Sequence, residues 1–361
     1  MTQLHQRNRH PKYRKKYKIR NWPSYERSLI NRGDLTLWLS EDVIQSWNSD
    51  LDQRMGRPKL YSDLAIETAL TLRLLFKLPL RQTEGFLKSI FRLMNVGLNV
   101  PDHTTLSRRN STLKTKLKRI GNPRGRVDLV IDSTGLVIHG EGRWTRHKHG
   151  KRKRRGWRKL HIGVSNGFIV AHYLSEDRKT DGEIAPHLIH QVGRIDSITA
   201  DKAYDQSRVY EAANDQLKEG GQINIHPRTN AVVSASDEAA LRQRNLHVKS
   251  IDEDGVLPWK RTSGYYRQSE VENMFFRYKN LIGDELKARN ENSRRVESVI
   301  ACNILNQFRL LGSPQSKLVA WYLFRFPNIL TFDLATCRLI SCKLPTSPNL
   351  TQPGRRAPKR S

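Results

Sequence analysis

Two runs of β-branched residues that each close on an aspartate constrain the fold more than any other feature of the chain. VDLVIDST (127–134) and IDSITAD (195–201) have the Val/Ile content of buried strands and end on Asp132 and Asp201. A buried carboxylate is costly unless a cation or hydrogen bonds meet it. Between the two runs lie GLVIHGEG and RKLHIGVSNGFIVAHYLSE, which read as further strands with Asn166-Gly167 as a hairpin turn. DGEIAPHLIHQV follows as a helix. After Asp201, QSRVYEAANDQLKEG reads as a helix closed by Gly220 and Gly221, and GQINIHP as a strand. A polar, irregular stretch then leads to the helix QSEVENMFFRYKNLIG. Strands first, then alternating helix and strand, predict an α/β fold whose mixed sheet has an antiparallel hairpin half and a parallel half.

A single aspartate at a strand end is more often a turn or cap residue than a ligand, so the chemistry rests on the pair plus a third acid. Glu272 is the candidate. Tyr265, Gln268, Glu272 and Lys279 are spaced by three, four and seven residues, which puts them on one helical face. Ser269-x-x-Glu272 also matches a capping box, and Glu270 is a rival acid in the same helix. From spacing alone the ligand and the cap stay open. Hard oxygen donors without His or Cys nearby suit magnesium or manganese rather than zinc. The three cysteines, Cys302, Cys337 and Cys342, are too scattered for a disulfide framework or a zinc site.

Charge points to the partner. The 361 residues carry 64 Lys+Arg against 35 Asp+Glu, a formal charge of +29, and such a surface releases counterions from phosphates when it binds nucleic acid. The apolar stretches are too short and too charged to span a bilayer. The basic start has no apolar segment behind it, so no secretory signal is read and a cytoplasmic location is expected. Residues 1–22 read as a basic flexible arm and 23–122 as a helical domain. Within it, an amphipathic helix from Leu80 is followed by a second one capped by Asp102, with Thr104 and Thr105 at its start. Its outer face carries Arg108, Arg109, Lys114, Lys116, Lys118 and Arg119. This pairing resembles a helix-turn-helix, whose second helix reads the major groove. In RHKHGKRKRRGWRK (146–159) nine of fourteen residues are Lys or Arg. There Trp157, among Arg158 and Lys159, either stacks on a base or packs as the first residue of a strand.

IDSTGL at Asp132, WRKLHIGV, ADKAYD at Asp201 and the Tyr265–Lys279 segment together resemble DDE transposases of bacterial insertion sequences, nearest the insertion sequence 5 family and its 903-like branch. The similarity runs from about residue 20 to LLGSP at 310–314. It implies a ribonuclease-H-like catalytic domain over 123–312, with 313–361 a tail of unknown role. Asp132, Asp201 and Glu272 are then the catalytic acids and hold two Mg2+ ions, with Mn2+ able to substitute. Tyr204 corresponds to the aromatic that follows the second acid. Tyr265, Glu272 and Lys279 fall on a tyrosine–arginine–glutamate–lysine signature, which selects Glu272 over Glu270. The signature arginine falls on Gln268, with Arg267 beside it as a stand-in. The expected partners are transposon-end and target DNA and further copies of the chain, with no membrane and no small-molecule cofactor. The expected DNA contacts are Lys279, Tyr265, Arg267, Gln268, Tyr204, Trp157, Arg158, Lys159, Thr104, Thr105, Arg108 and Arg109. Two alternatives are a metal-dependent nuclease without strand transfer and an inactive DNA-binding derivative.

Overall fold

The computed structural model describes residues 17–49, 59–118, 125–140, 156–234 and 239–318. The first ten residues of the 146–159 basic run, Arg119, and most of the arm and tail lie outside them. Residues 21–314 form one unit; of the second, the described residues hold a short antiparallel pair, β1 (Tyr17–Ile19) and β8 (Ser316–Leu318).

The centre of the larger unit is a sheet in the order β4-β3-β2-β5-β6, with β7 (Glu285–Leu286) also pairing β2. The strands are β2 (Asp128–Ile138), β3 (Trp157–Ser165), β4 (Phe168–Glu176), β5 (Ile195–Ala200) and β6 (Leu217–Ile225). β2, β3 and β4 run antiparallel, whereas β5 is parallel to β2 and β6 to β5. The mixed sheet expected from the sequence is therefore present. Asn166 and Gly167, both at positive φ, make the β3–β4 turn.

Strand alternation sends Leu129 and Ile131 of β2 to one face and Val130 and Leu136 to the other. The first face is covered by α6 (Asp181–Val192), α7 (Ser207–Gln216) and α8 (Ala239–Asp254). The second is covered by α10 (Gln268–Leu281) and α11 (Glu291–Leu311). The other side of α11, through Val296, Ile300, Ile304 and Phe308, packs with the N-terminal helices. Of these, α3 is Asp63–Leu75, α4 is Leu80–Leu93 and α5 is His103–Thr112; α1 (Trp22–Asn31) and α2 (Glu41–Gln45) precede them.

Four expectations are corrected. β2 is one continuous strand rather than two, so Asp132 lies inside it. The helix capped by Asp102 stops at Thr112, because Leu113 is buried in an extended conformation and Asn303 of α11 bonds the backbone of Lys116 and Lys118. Lys114, Lys116 and Lys118 therefore follow α5 rather than decorate it. α7 ends at Gln216, and Gly220, at φ +72°, sits in an irregular start of β6. The stretch expected to be irregular holds α8 and α9 (Val256–Thr262). α8 buries few apolar residues, which is why its periodicity is weak. It docks through polar groups: Gln243 bonds Ile223 N and Gly221 O, and the His247 ring bonds Ile223 O.

Candidate active site

Asp132 pairs with Ile162 of β3 on one side of β2, but on the other side β5 has already left. The last β2–β5 partners are Val130 and Thr199; two residues past Thr199 comes Asp201. Parallel pairing thus brings the two carboxylates to one place, the notch where β5 departs from β2. That notch replaces the strand end the sequence suggested for Asp132.

Each acid is held by one backbone donor. The Asp132 carboxylate accepts from Ser133 N at 2.7 Å. That of Asp201 accepts from Ala203 N at 2.9 Å and caps the turn Lys202–Tyr204. Among the described residues no cationic side chain forms an ion pair with Asp132, Asp201 or Glu272. Burial, and then the charges of Asp201, Asp181 and Glu272, push the Asp132 carboxyl up to about 7. Burial and Asp181 also raise Asp201, against the pull of Lys202 and His226. A divalent cation bound to these carboxylates would favour their charged forms and oppose both shifts.

Glu272 rides on α10. The cap alternative fails: the helix begins at Gln268, and Ser269 Oγ donates back to Tyr266 O instead of capping. Glu272 and Lys279 lie on the exposed face. Tyr265, in the turn before α10, packs against Trp259 and His226 with ring centroids 5.2 and 5.6 Å away. Burial and the fields of Asp201, Asp132 and Glu272 push its hydroxyl up to about 12, so it stays a proton donor beside all three acids.

Sequence reasoning missed Asp181. It opens α6 next to Thr180, which with Glu183 forms a capping box. Its Oδ1 accepts from Ser133 Oγ at 2.7 Å and stands 3.4 Å from Lys159 Nζ and 3.5 Å from His161 Nδ1. The one signal available was an acid in the first turn of a helix entered from a strand, which dipole compensation explains equally well.

Other expected contacts fall elsewhere. Tyr204 is wholly buried among Asp181, Asp132 and Asp201, so its ring supports the notch from beneath. Gln268 is 6% exposed, with its amide 3.5 Å from Ile131 O; it braces β2 and presents nothing to a ligand. Arg267 is engaged by Asp128 at 2.6 Å and Glu270 at 3.3 Å, so it does not stand in for the missing arginine. Arg158 pairs with Glu291 at 2.9 Å. Arg109 is mostly buried, bonded to Asp63 and Tyr61 O, and ties α5 to α3. Thr104 and Thr105 are occupied by the Asp102 cap, while Arg108 is exposed. Trp157, exposed on one side, packs on Gly135 across the β2–β3 pair. With Lys159 it lines an open cavity beside Ser133, Thr134 and Arg178.

The donor set fits a hard divalent cation: carboxylate oxygens, a surplus of negative field and no thiol. Among the described residues no three acids already converge tightly enough to share one ion. Of the acids acting on Asp132, Asp201 exerts the largest field and Glu272 the smallest.

Residues 30–141 and residues 123–307 each match a family model described as a transposase DDE domain. The second match holds all three candidate acids and spans half the chain. Among solved structures, the Drosophila P element transposase strand transfer complex is similar at 12% identity and a TM-score of 0.27, over 73% of this chain and 70% of that one. That likeness is too remote to assign a fold. Family and site together make the chain a transposase whose chemistry depends on divalent metal, and it belongs to the DDE transposases.

Proposed function

We propose that the chain is the transposase of a bacterial insertion sequence of the insertion sequence 5 family, in its 903-like branch. In this reading it binds the element's terminal repeats as a homo-oligomer in the cytoplasm, cleaves the DNA strands and joins them to a target. The single observation that carries the reading is the notch where β5 leaves β2 and half-buries Asp132 and Asp201 together, beside a helix that carries Glu272. The strand order, antiparallel on one side of β2 and parallel on the other, supports a ribonuclease-H-like core. α4 and α5 supply the helix-turn-helix-like reader, with Arg108 the exposed base on its second helix.

Asp132, Asp201 and Glu272 hold Mg2+, for which Mn2+ substitutes. When bound, the ions supply activation of the attacking oxygen and charge relief at the leaving 3′ oxygen. The chain's own groups do the rest. Tyr265 stays protonated and donates a hydrogen bond to the phosphate, and Lys279, exposed on the Glu272 face of α10, meets the neighbouring backbone charge. Asp181 holds Ser133 and Lys159, which fixes the strand next to Asp132. No covalent protein intermediate is required.

One observation favours an inactive DNA-binding derivative: Gln268 occupies the signature arginine's place and is buried. A supercoiled plasmid bearing the element's ends, incubated with the protein in Mg2+, separates the readings. Joined products are expected; nicks alone indicate a nuclease, and intact plasmid that is still bound indicates the derivative.

A further inference from the structure

Three arginines, one from the start of the chain and two from successive helices near residue 300, converge on a cavity of about 340 Å3 beside α10. Arg32 ends α1, Arg277 lies on α10 and Arg309 on the last turn of α11. None forms an ion pair among the described residues. The guanidinium of Arg32 lies 5.0 Å over the Phe308 ring, and its Nε is buried without a hydrogen-bond partner. Arg309 rests on the β3–β4 turn, donating to Asn166 O at 3.3 Å. Burial lowers Arg32 and Arg309; on Arg32 the neighbouring Tyr25 raises by more than Arg277 lowers, whereas on Arg309 the repulsion from Arg277 outweighs the opposing pull of Glu270. Like charges pressed together around an open space, with a buried donor left over, describe a site for an anion.

The cavity's place on α10 says which anion. At about 100° per residue, Glu272 and Lys279 share one line of the helix, Phe276 lies next to it, and Asn273, Asn280 and Arg277 lie further round. The buried residues Val271, Met274, Phe275 and Tyr278 take the opposite side. Asn273, Phe276, Arg277 and Asn280 all line the cavity, and Phe276 is 68% exposed. One solvent-facing arc therefore leads from the candidate active site to the arginines, with Glu272 and Arg277 about 7.5 Å apart along the axis and about 140° apart around it.

We propose that Arg32, Arg277 and Arg309 form a backbone-phosphate site for the DNA strand that flanks the scissile phosphate, with Phe276 as an apolar rest between the two. The proposal rests on the DNA-cleaving reading above. A phosphate here would relieve the repulsion that Arg277 exerts on Arg32 and Arg309. The contact reads no base, so it positions the strand whatever its sequence.

The test measures duplex DNA binding by fluorescence anisotropy across a salt series, using the full chain and a 40-base-pair duplex of arbitrary sequence. Arg277→Gln is compared with Lys249→Gln, an exposed lysine on α8 that matches the loss of one charge. Arg277→Gln should weaken binding about tenfold at 0.1 M salt and flatten the log–log salt slope by about one. Its melting temperature should hold or rise, since repulsion is removed; a merely structural arginine would lower stability together with affinity. Arg277→Lys should recover most of the affinity. Equal effects from Lys249→Gln and Arg277→Gln would overturn the proposal, as would an unchanged slope. If 10 mM inorganic phosphate stabilises the wild type but not Arg277→Gln while DNA binding is unaltered, the cavity takes a free anion and the DNA assignment fails. Absence of DNA binding by the wild type would overturn the cleavage reading and the proposal together, whereas normal wild-type binding with an unaltered variant sinks the proposal alone.

Discussion

Two clusters of like charge lie on either side of the exposed arc of α10, and they differ in how the fold made them. The acidic notch comes from sheet geometry: β5 stops pairing with β2 at Val130, and the side chains just past that point are Asp132 and Asp201. The arginine cavity comes from helix ends, where α1 and α11 bring Arg32 and Arg309 against Arg277. Each costs the unliganded fold something, through burial of charge first and the nearness of like charge second. The difference lies in what relieves them. The acids call for a cation and the arginines for an anion, and DNA carried with divalent metal supplies both.

That contrast is sharpest in activity. Asp201→Asn should reduce cleavage of end DNA by about three orders of magnitude or more with binding nearly intact, in a gel assay that scores cut and bound DNA separately. Arg277→Gln should lose affinity, and at saturating protein its cleavage should fall far less than that of Asp201→Asn. If the two variants lose the same property, the clusters do not have separate roles.

Stability without metal should separate them next. In chelator, Asp132→Asn relieves a buried carboxyl and should stabilise the chain by roughly 1–3 kcal/mol in denaturant melts. Divalent metal should then erase or reverse that advantage, since it stabilises the wild type alone.

Acid tests the groups behind the notch. His161 and His172 are both held down to about 4, chiefly by burial. Because their folded values lie below the ordinary 6.5, the fold binds fewer protons than the unfolded chain between those limits. Their stabilising contribution is complete above 6.5 and is lost as pH falls toward 4. Asp132 works in the opposite sense, favouring the fold as pH drops from about 7. The melting-temperature profile is therefore cleanest in Asp132→Asn, where His172→Asn should flatten the fall below 6.5.

The smallest effect belongs to the arginine side. A Cβ on Gly167 would meet the Arg309 guanidinium at 2.9–3.1 Å, and its φ is +76°. Gly167→Ala should cost about 1 kcal/mol and, by moving Arg309, weaken duplex binding only a few-fold. A DNA affinity unchanged by it would place Arg309 outside the phosphate site.

How far the sequence reaches follows the same division. The Val/Ile runs, the Asn166-Gly167 turn and the acids that close each run were legible because strand period, turn chemistry and the cost of a buried carboxylate act locally. Asp181 was not, since a first-turn acid in a capped helix needs no further reason. α8 escaped because it docks by Gln243 and His247 rather than by an apolar stripe. The break after Thr112 depends on Asn303, some 190 residues away, and the engagement of Arg267 by Asp128 across more than 130. The arginine cavity joins Arg277 and Arg309 to Arg32, which lies more than 240 residues before either, so no window along the chain contains it.

The central claim is that the notch between β2 and β5 is where divalent metal acts on DNA. Anomalous diffraction from crystals grown with Mn2+ and a short duplex tests it most directly. Metal peaks at about 2.0–2.3 Å from Asp132 and Asp201 carboxylate oxygens are expected, with Glu272 drawn in to complete the set. Ordered DNA with manganese bound only elsewhere, and these two acids still without metal, would contradict it.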